Sequence, residues 1–131
     1  MAESIRMSIV LPASPKEIYE GWLNSKTHAK FTGGSEAKID ARINGKFTAW
    51  DGYISGTTLE LEPDHRIVQT WRTTDFPEDA ADSRLEVILE KVDKGTKMTL
   101  IHTQFPPDQM EEYRSGWEEF YFQPMRTYFK G

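Results

Sequence analysis

The run GWEEFYFQPMRTYF, residues 116–129, places six aromatics, a methionine and a proline in fourteen positions, and any fold must bury that density. On a helix advancing about 100° per residue, every aromatic from Tyr113 to Phe129, with Pro124 and Met125, falls in one arc of roughly 200°. A covering helix needs an apolar stripe of about half that width. The surplus edges must meet something besides a sheet: neighbouring helices, a ligand or a partner. Arg114 and Glu118 interrupt the arc four residues apart, a spacing that permits an ion pair along the helix. Either the pair snorkels to water at the margin or it sits at the mouth of a cavity. Pro124 lacks a backbone donor and leaves the Phe120 carbonyl without its helical partner, so a kink is expected there.

Upstream, the pattern changes from helix to strand. SIRMSIVL alternates Ile5, Met7, Ile9 and Leu11 on one face, the period of a half-buried strand. Ser14-Pro15-Lys16-Glu17 reads as a capping box with proline at the first helical position. Ile18, Trp22 and Leu23 share a face of that helix. Ser25 is placed to cap a second short helix through Phe31, which Gly33-Gly34 would end. Asn44-Gly45, between EAKIDARI and KFTAW, signals a hairpin. Asp51-Gly52 and Gly56 mark a further tight turn or bulge. TTLELEPDHRIVQTWRT reads as two strands about Pro63-Asp64. SRLEVILEKV turns through Asp93-Lys94-Gly95 into TKMTLIHTQF, which Pro106-Pro107 ends before Asp108 caps the last helix.

An antiparallel sheet with one apolar face needs a cover, and only the last helix is long enough to provide it. The expected fold is α+β: a curved antiparallel sheet of six or seven strands gripping a long C-terminal helix, with two short helices after the first strand. Residues 1–131 read as one domain, with no repeat or linker.

A net charge of −5 argues against nucleic-acid and anionic-membrane partners. No window is long and apolar enough to span a bilayer, and MAESIRMSIVL lacks the pattern of a signal peptide, so the cytoplasm is the expected compartment. With no cysteine, thiolate chemistry is excluded. His28, His65 and His102 show no metal-ligand spacing, and neither nucleophile elbows nor phosphate loops occur. No catalytic residue, metal or cofactor is expected. His102 lies on a buried strand, where a hydrogen-bonded core histidine is commoner than a general base. Four tryptophans suggest dense packing, or an aromatic cavity lined by Gln69, Trp71, His102, Trp117 and Tyr121. With Arg114, Glu118 and Met125 on the same helix, these make up the candidate ligand-binding set.

INGKFTAWDGYISGTTLELEPDHRIVQTWR, then TDFPED, then RSGWEEFYFQPMRTYF, resemble the C-terminal domain of the activator of heat-shock protein 90 ATPase. The cues are Gly45-Lys46-Phe47, Asp51-Gly52 with Ser55-Gly56, the Ile67-Val68…Trp71-Arg72 strand, and Gly116-Trp117 with its trailing aromatics. The resemblance covers nearly the whole chain and implies the START-like helix-grip fold of the SRPBCC superfamily. It also implies a non-catalytic role in a chaperone-linked stress response, through either a small apolar ligand or a heat-shock protein 90-type partner. The eukaryotic activators dock chiefly through a separate N-terminal domain, for which 131 residues leave no room. The alternatives are a dedicated co-chaperone that stimulates the ATPase of a heat-shock protein 90 homologue, and a cavity enzyme, a cyclase or hydrolase, with His102 or Glu118 as its titratable group.

Overall fold

The computed structural model describes residues 4–31, 36–105 and 109–130. Its order is β1 (Ser4–Leu11), α1 (Pro15–Leu23), α2 (Ser25–Phe31), β2 (Lys38–Ile39), β3 (Lys46–Ala49), a 3₁₀ turn (Trp50–Gly52), β4 (Ile54–Glu62), β5 (Arg66–Thr73), β6 (Ser83–Val92) and β7 (Gly95–Thr103). The C-terminal helix follows as α3 (Met110–Trp117), a π-helical segment (Glu118–Phe122) and α4 (Gln123–Lys130).

All seven strands form one antiparallel sheet in the order β1-β7-β6-β5-β4-β3-β2. Strands β2 to β7 each pair with the next in sequence, and β1 closes on β7. The first strand therefore lies at one edge and β2 at the other, with α1 and α2 carrying the chain between them. Ile5, Ile9 and Leu11 are buried while Ser4, Arg6, Ser8 and Val10 face outward, as a period of two requires. Leu85, Val87 and Leu89 do the same on β6, and Met98, Leu100 and His102 on β7. The C-terminal helix covers this face with Tyr113, Trp117, Tyr121, Phe122 and Met125, each at most 4% exposed.

Local chemistry explains most boundaries. Ser14 Oγ accepts from Glu17 N at 3.1 Å while Glu17 Oε1 accepts from Ser14 N, so the capping box forms in full. Asp64 takes φ 60° in the β4–β5 turn, and Gly95 takes φ 138° after the β6–β7 turn. A Cβ on Gly95 would lie 2.0 Å from the Leu11 carbonyl oxygen, so this turn needs glycine for space as well as conformation.

One expectation needs correction, and two gain detail. α2 is capped by Asn24, whose Oδ1 accepts from Thr27 N at 3.0 Å, and not by Ser25. The Ser25 hydroxyl instead accepts from Ile39 N at 2.9 Å and ties α2 to β2. The Asn44-Gly45 turn exists, with Asn44 at φ 69°, and β2 pairs with β3 across it as a hairpin whose loop is longer than two residues. Pairing stops at Ile39↔Phe47, and the chain between makes its own turn through Gly45 N to Arg42 O. At Pro124 the helix answers with the preceding π segment, in which Gln123 N–H reaches back to Glu118 O. Gly33-Gly34, Pro106-Pro107 and Asp108 lie outside the described residues; within them, the first cap position of α3 is Gln109, which makes no side-chain capping bond.

Candidate functional site

Between the C-terminal helix and the β3–β5 end of the sheet lies a cavity of about 370 Å³, open on one side to solvent. The sheet contributes Ile54 and Trp71, and the 3₁₀ turn and the residue after it contribute Trp50 and Tyr53. From the helix come Glu112, Tyr113, Gly116, Trp117, Phe120 and Tyr121. Small-molecule sites have this size and this mostly aromatic wall. Gly116 helps create the space: a Cβ there would meet only Phe120 Cδ2, at 3.8 Å.

Trp71 is the hub of the floor. Its ring centroid lies 5.2 Å from Trp117, 5.3 Å from Tyr113 and 4.7 Å from His102. At the mouth, Trp50 meets Phe120 edge-on at 5.4 Å, and Phe120 is half exposed. Trp50 and Asp51 both hold positive φ, at 52° and 58°, which costs side-chain-bearing residues about 1–3 kcal/mol each. Asp51 clamps the turn: its Oδ1 accepts from Glu36 N at 2.6 Å while its N–H donates to Glu36 O at 3.0 Å.

Two hydrogen-bonded chains fix the walls. In the first, the Tyr121 hydroxyl donates to His28 Nε2 at 2.7 Å. His28 Nδ1–H then donates to the Trp22 carbonyl at 2.9 Å, while Trp22 Nε1–H donates to Gln69 Oε1 and Gln69 Nε2–H to Thr58 Oγ1. In the second, Trp117 Nε1–H donates to His102 Nδ1 at 3.3 Å, which fixes the neutral tautomer with the proton on Nε2. Nε2–H donates to Ser83 Oγ at 2.7 Å, and the Ser83 hydroxyl donates to the Trp71 carbonyl. Burial lowers His28 to about 4 and His102 to about 3, so both rings stay neutral. Burial likewise raises the Tyr121 phenol well above its ordinary range and pushes Tyr113 up to about 12.

Of the eight candidate residues, Trp71, Trp117 and Tyr121 line this cavity. His102 and Gln69 stand behind the wall and orient its members, while Met125 is sealed in the core at 0% exposure. Arg114 and Glu118 do not border the cavity. They lie with Arg126 and Phe122 on a separate shallow groove beside Met7 and Ser8 of β1, and the ion pairs among the described residues do not include them. The candidate set did not include Trp50, Tyr53, Ile54, Glu112, Gly116 or Phe120, although the helical wheel had placed Phe120 in the apolar arc. The signal for Trp50 was its position directly before Asp51-Gly52, on the shoulder of a turn. Among the described residues no cluster of three or more His, Asp or Glu could hold a metal ion, and no helix is long and apolar enough to cross a membrane.

A family model described as Activator of Hsp90 ATPase homolog 1-like protein matches residues 12–130. The human activator of 90 kDa heat shock protein ATPase homolog 1 is 30% identical over 118 residues, which make up 88% of this chain and 34% of the human protein. The chain thus spans about a third of the length of the curated relatives it matches. An HSP90 activator from Plasmodium falciparum has the same fold, with a TM-score of 0.88 at 23% identity, covering 95% of this chain and 94% of that one. CalU16 from Micromonospora echinospora gives a TM-score of 0.82 at 25% identity, covering 98% and 76%.

Proposed function

The chain belongs to the Activator of Hsp90 ATPase homolog 1-like family, and from that premise we propose that it is a non-catalytic binding domain holding a small, largely apolar molecule between its sheet and its C-terminal helix. The observation that carries this reading is the cavity of about 370 Å³ at Trp50, Trp71, Trp117 and Tyr121. Closed cores pack densely, with few voids larger than a water molecule. Here the wall is instead braced around open space by hydrogen bonds from behind. The enzymatic alternative draws no support from His102, since Trp117 occupies its Nδ1 and Ser83 its Nε2.

Family membership favours a second reading, in which the domain acts on a heat-shock protein 90-type chaperone; the human relative is named for that activity. The two readings are compatible, because a ligand in a half-open cavity would alter the surface around its mouth.

Filling the cavity without disturbing the core tests the ligand reading. Gly116→Leu projects its side chain into the open space, where only Phe120 lies close. The neutral dye N-phenyl-1-naphthylamine should brighten on binding the native protein, and the leucine variant should weaken that binding by about tenfold or more, as loss of a buried aromatic contact surface implies. Native-like dye binding by a folded Gly116→Leu protein overturns the reading.

A further inference from the structure

The charge distribution around the cavity specifies its guest more closely, on the premise that it binds a ligand at all. None of the described residues lining it is basic, and the one charged side chain among them is Glu112. Asp75 adds negative charge nearby: its carboxylate accepts the Tyr53 hydroxyl, and Asp75 and Glu112 both act electrostatically on Tyr53 and Tyr113. Arg72 offers no compensation. It sits on the far side of Phe76, held by Asp82 at 2.8 Å and by the carbonyls of Ala80 and Pro77.

An anionic guest is therefore repelled. A wholly neutral guest gains nothing from Glu112 and partly desolvates it. Cations are attracted both to the carboxylate and to the electron-rich faces of tryptophan and tyrosine. The hydrogen-bond inventory then separates one kind of cation from another. A primary ammonium brings three N–H donors that need acceptors. The Tyr113 hydroxyl is already engaged by Gln109 and Thr73, and that of Tyr121 by His28. A quaternary ammonium makes no such demand, since its charge is spread over methyl groups that pack directly on rings. We infer that the cavity takes an organic cation of the quaternary or fully methylated ammonium class, with its methyl groups against Trp50, Trp71, Trp117 and Phe120 and its charge toward Glu112.

Two isosteric probes decide the matter: phenyltrimethylammonium and its neutral carbon analogue tert-butylbenzene. Titration of each into the native protein, followed by tryptophan fluorescence and by the indole N–H resonances, should give about tenfold or more tighter binding of the cation. Glu112→Gln, an isosteric change on an exposed helix position, should bring the cation down toward the neutral probe and leave the neutral probe unchanged. Equal affinities in the native protein, or a cation preference that Glu112→Gln leaves undiminished, would overturn the inference and leave the ligand-binding reading standing. Failure of both probes to bind would overturn both.

Discussion

His102 shows how a residue that looks chemical in the sequence becomes structural in the fold. A general base needs a nitrogen lone pair facing the substrate, and its lone pair is taken by Trp117 Nε1–H. The ring spends its other nitrogen on Ser83, which in turn satisfies the Trp71 carbonyl. His28 plays the same part beneath Tyr121, so each buried histidine anchors an aromatic of the cavity wall. Both have folded pKa values below the ordinary value near 6.5. A lowered histidine pKa means that the unfolded chain binds protons more readily, so the stability is fully present above about pH 6.5 and is lost as pH falls toward the folded values of about 4 and about 3. At pH 5 each histidine should cost about 2 kcal/mol relative to pH 7, or about 4 kcal/mol together. Urea denaturation at the two pH values measures the loss. His102→Gln should remove about half of the pH dependence attributable to the pair, whatever it does to absolute stability. A curve that stays flat from pH 7 to pH 5 would contradict neutral burial of these rings.

At the scale of elements, the C-terminal helix resolves the excess aromatic arc. Tyr113, Trp117, Tyr121 and Met125 recur every four residues and are all buried. In a straight α-helix each step of four overshoots a turn by about 40°, so three steps would swing the ladder through about 120°. The π segment Glu118–Phe122 absorbs the drift by widening one turn, and the ladder stays on the sheet. The wheel assumed a constant 100° per residue and so spread one face into a broad arc. Pro124 announced an irregularity, but the backbone's way of meeting it depends on tertiary packing that the sequence does not display. The glycines show the same dependence with opposite signs. Gly116 lies in a helix interior with free space at its Cβ, so Gly116→Ala should stabilise by about 0.5–1 kcal/mol. A Cβ on Gly56 would lie 2.0 Å from the Thr70 carbonyl oxygen and 2.7 Å from Phe47 Cε1, so Gly56→Ala should destabilise by about 2 kcal/mol or more. Thermal unfolding of the two variants should shift in opposite directions. Shifts of the same sign would refute the placement of one glycine or the other.

For the whole molecule, the sheet's order was legible because its information is local. Period-two alternation in SRLEVILEKV and the turns at Pro63-Asp64 and Asp93-Lys94-Gly95 each pair neighbouring strands, and five such pairings leave only β1 to be placed. The cavity is not local. It joins Trp50, displaced from its strand by left-handed backbone, to Phe120 and Gly116 some seventy residues away. No periodicity records that meeting. The mouth carries the half-exposed Phe120 beside Trp50, and aromatic side chains are enriched among the anchors of protein interfaces. If a heat-shock protein 90-type chaperone docks there, adding this protein to its host's purified chaperone should raise ATP turnover saturably. Phe120→Ala should then shift half-saturation upward by about tenfold or more, as expected for an interfacial aromatic. Phe120 already spends half its surface in water, so the variant should keep its fold and leave the buried ladder of Tyr113, Trp117 and Tyr121 intact. Unchanged turnover at saturating protein would remove the chaperone reading and leave the ligand reading to its own tests. A rise that Phe120→Ala does not weaken would place the docking surface away from the cavity mouth.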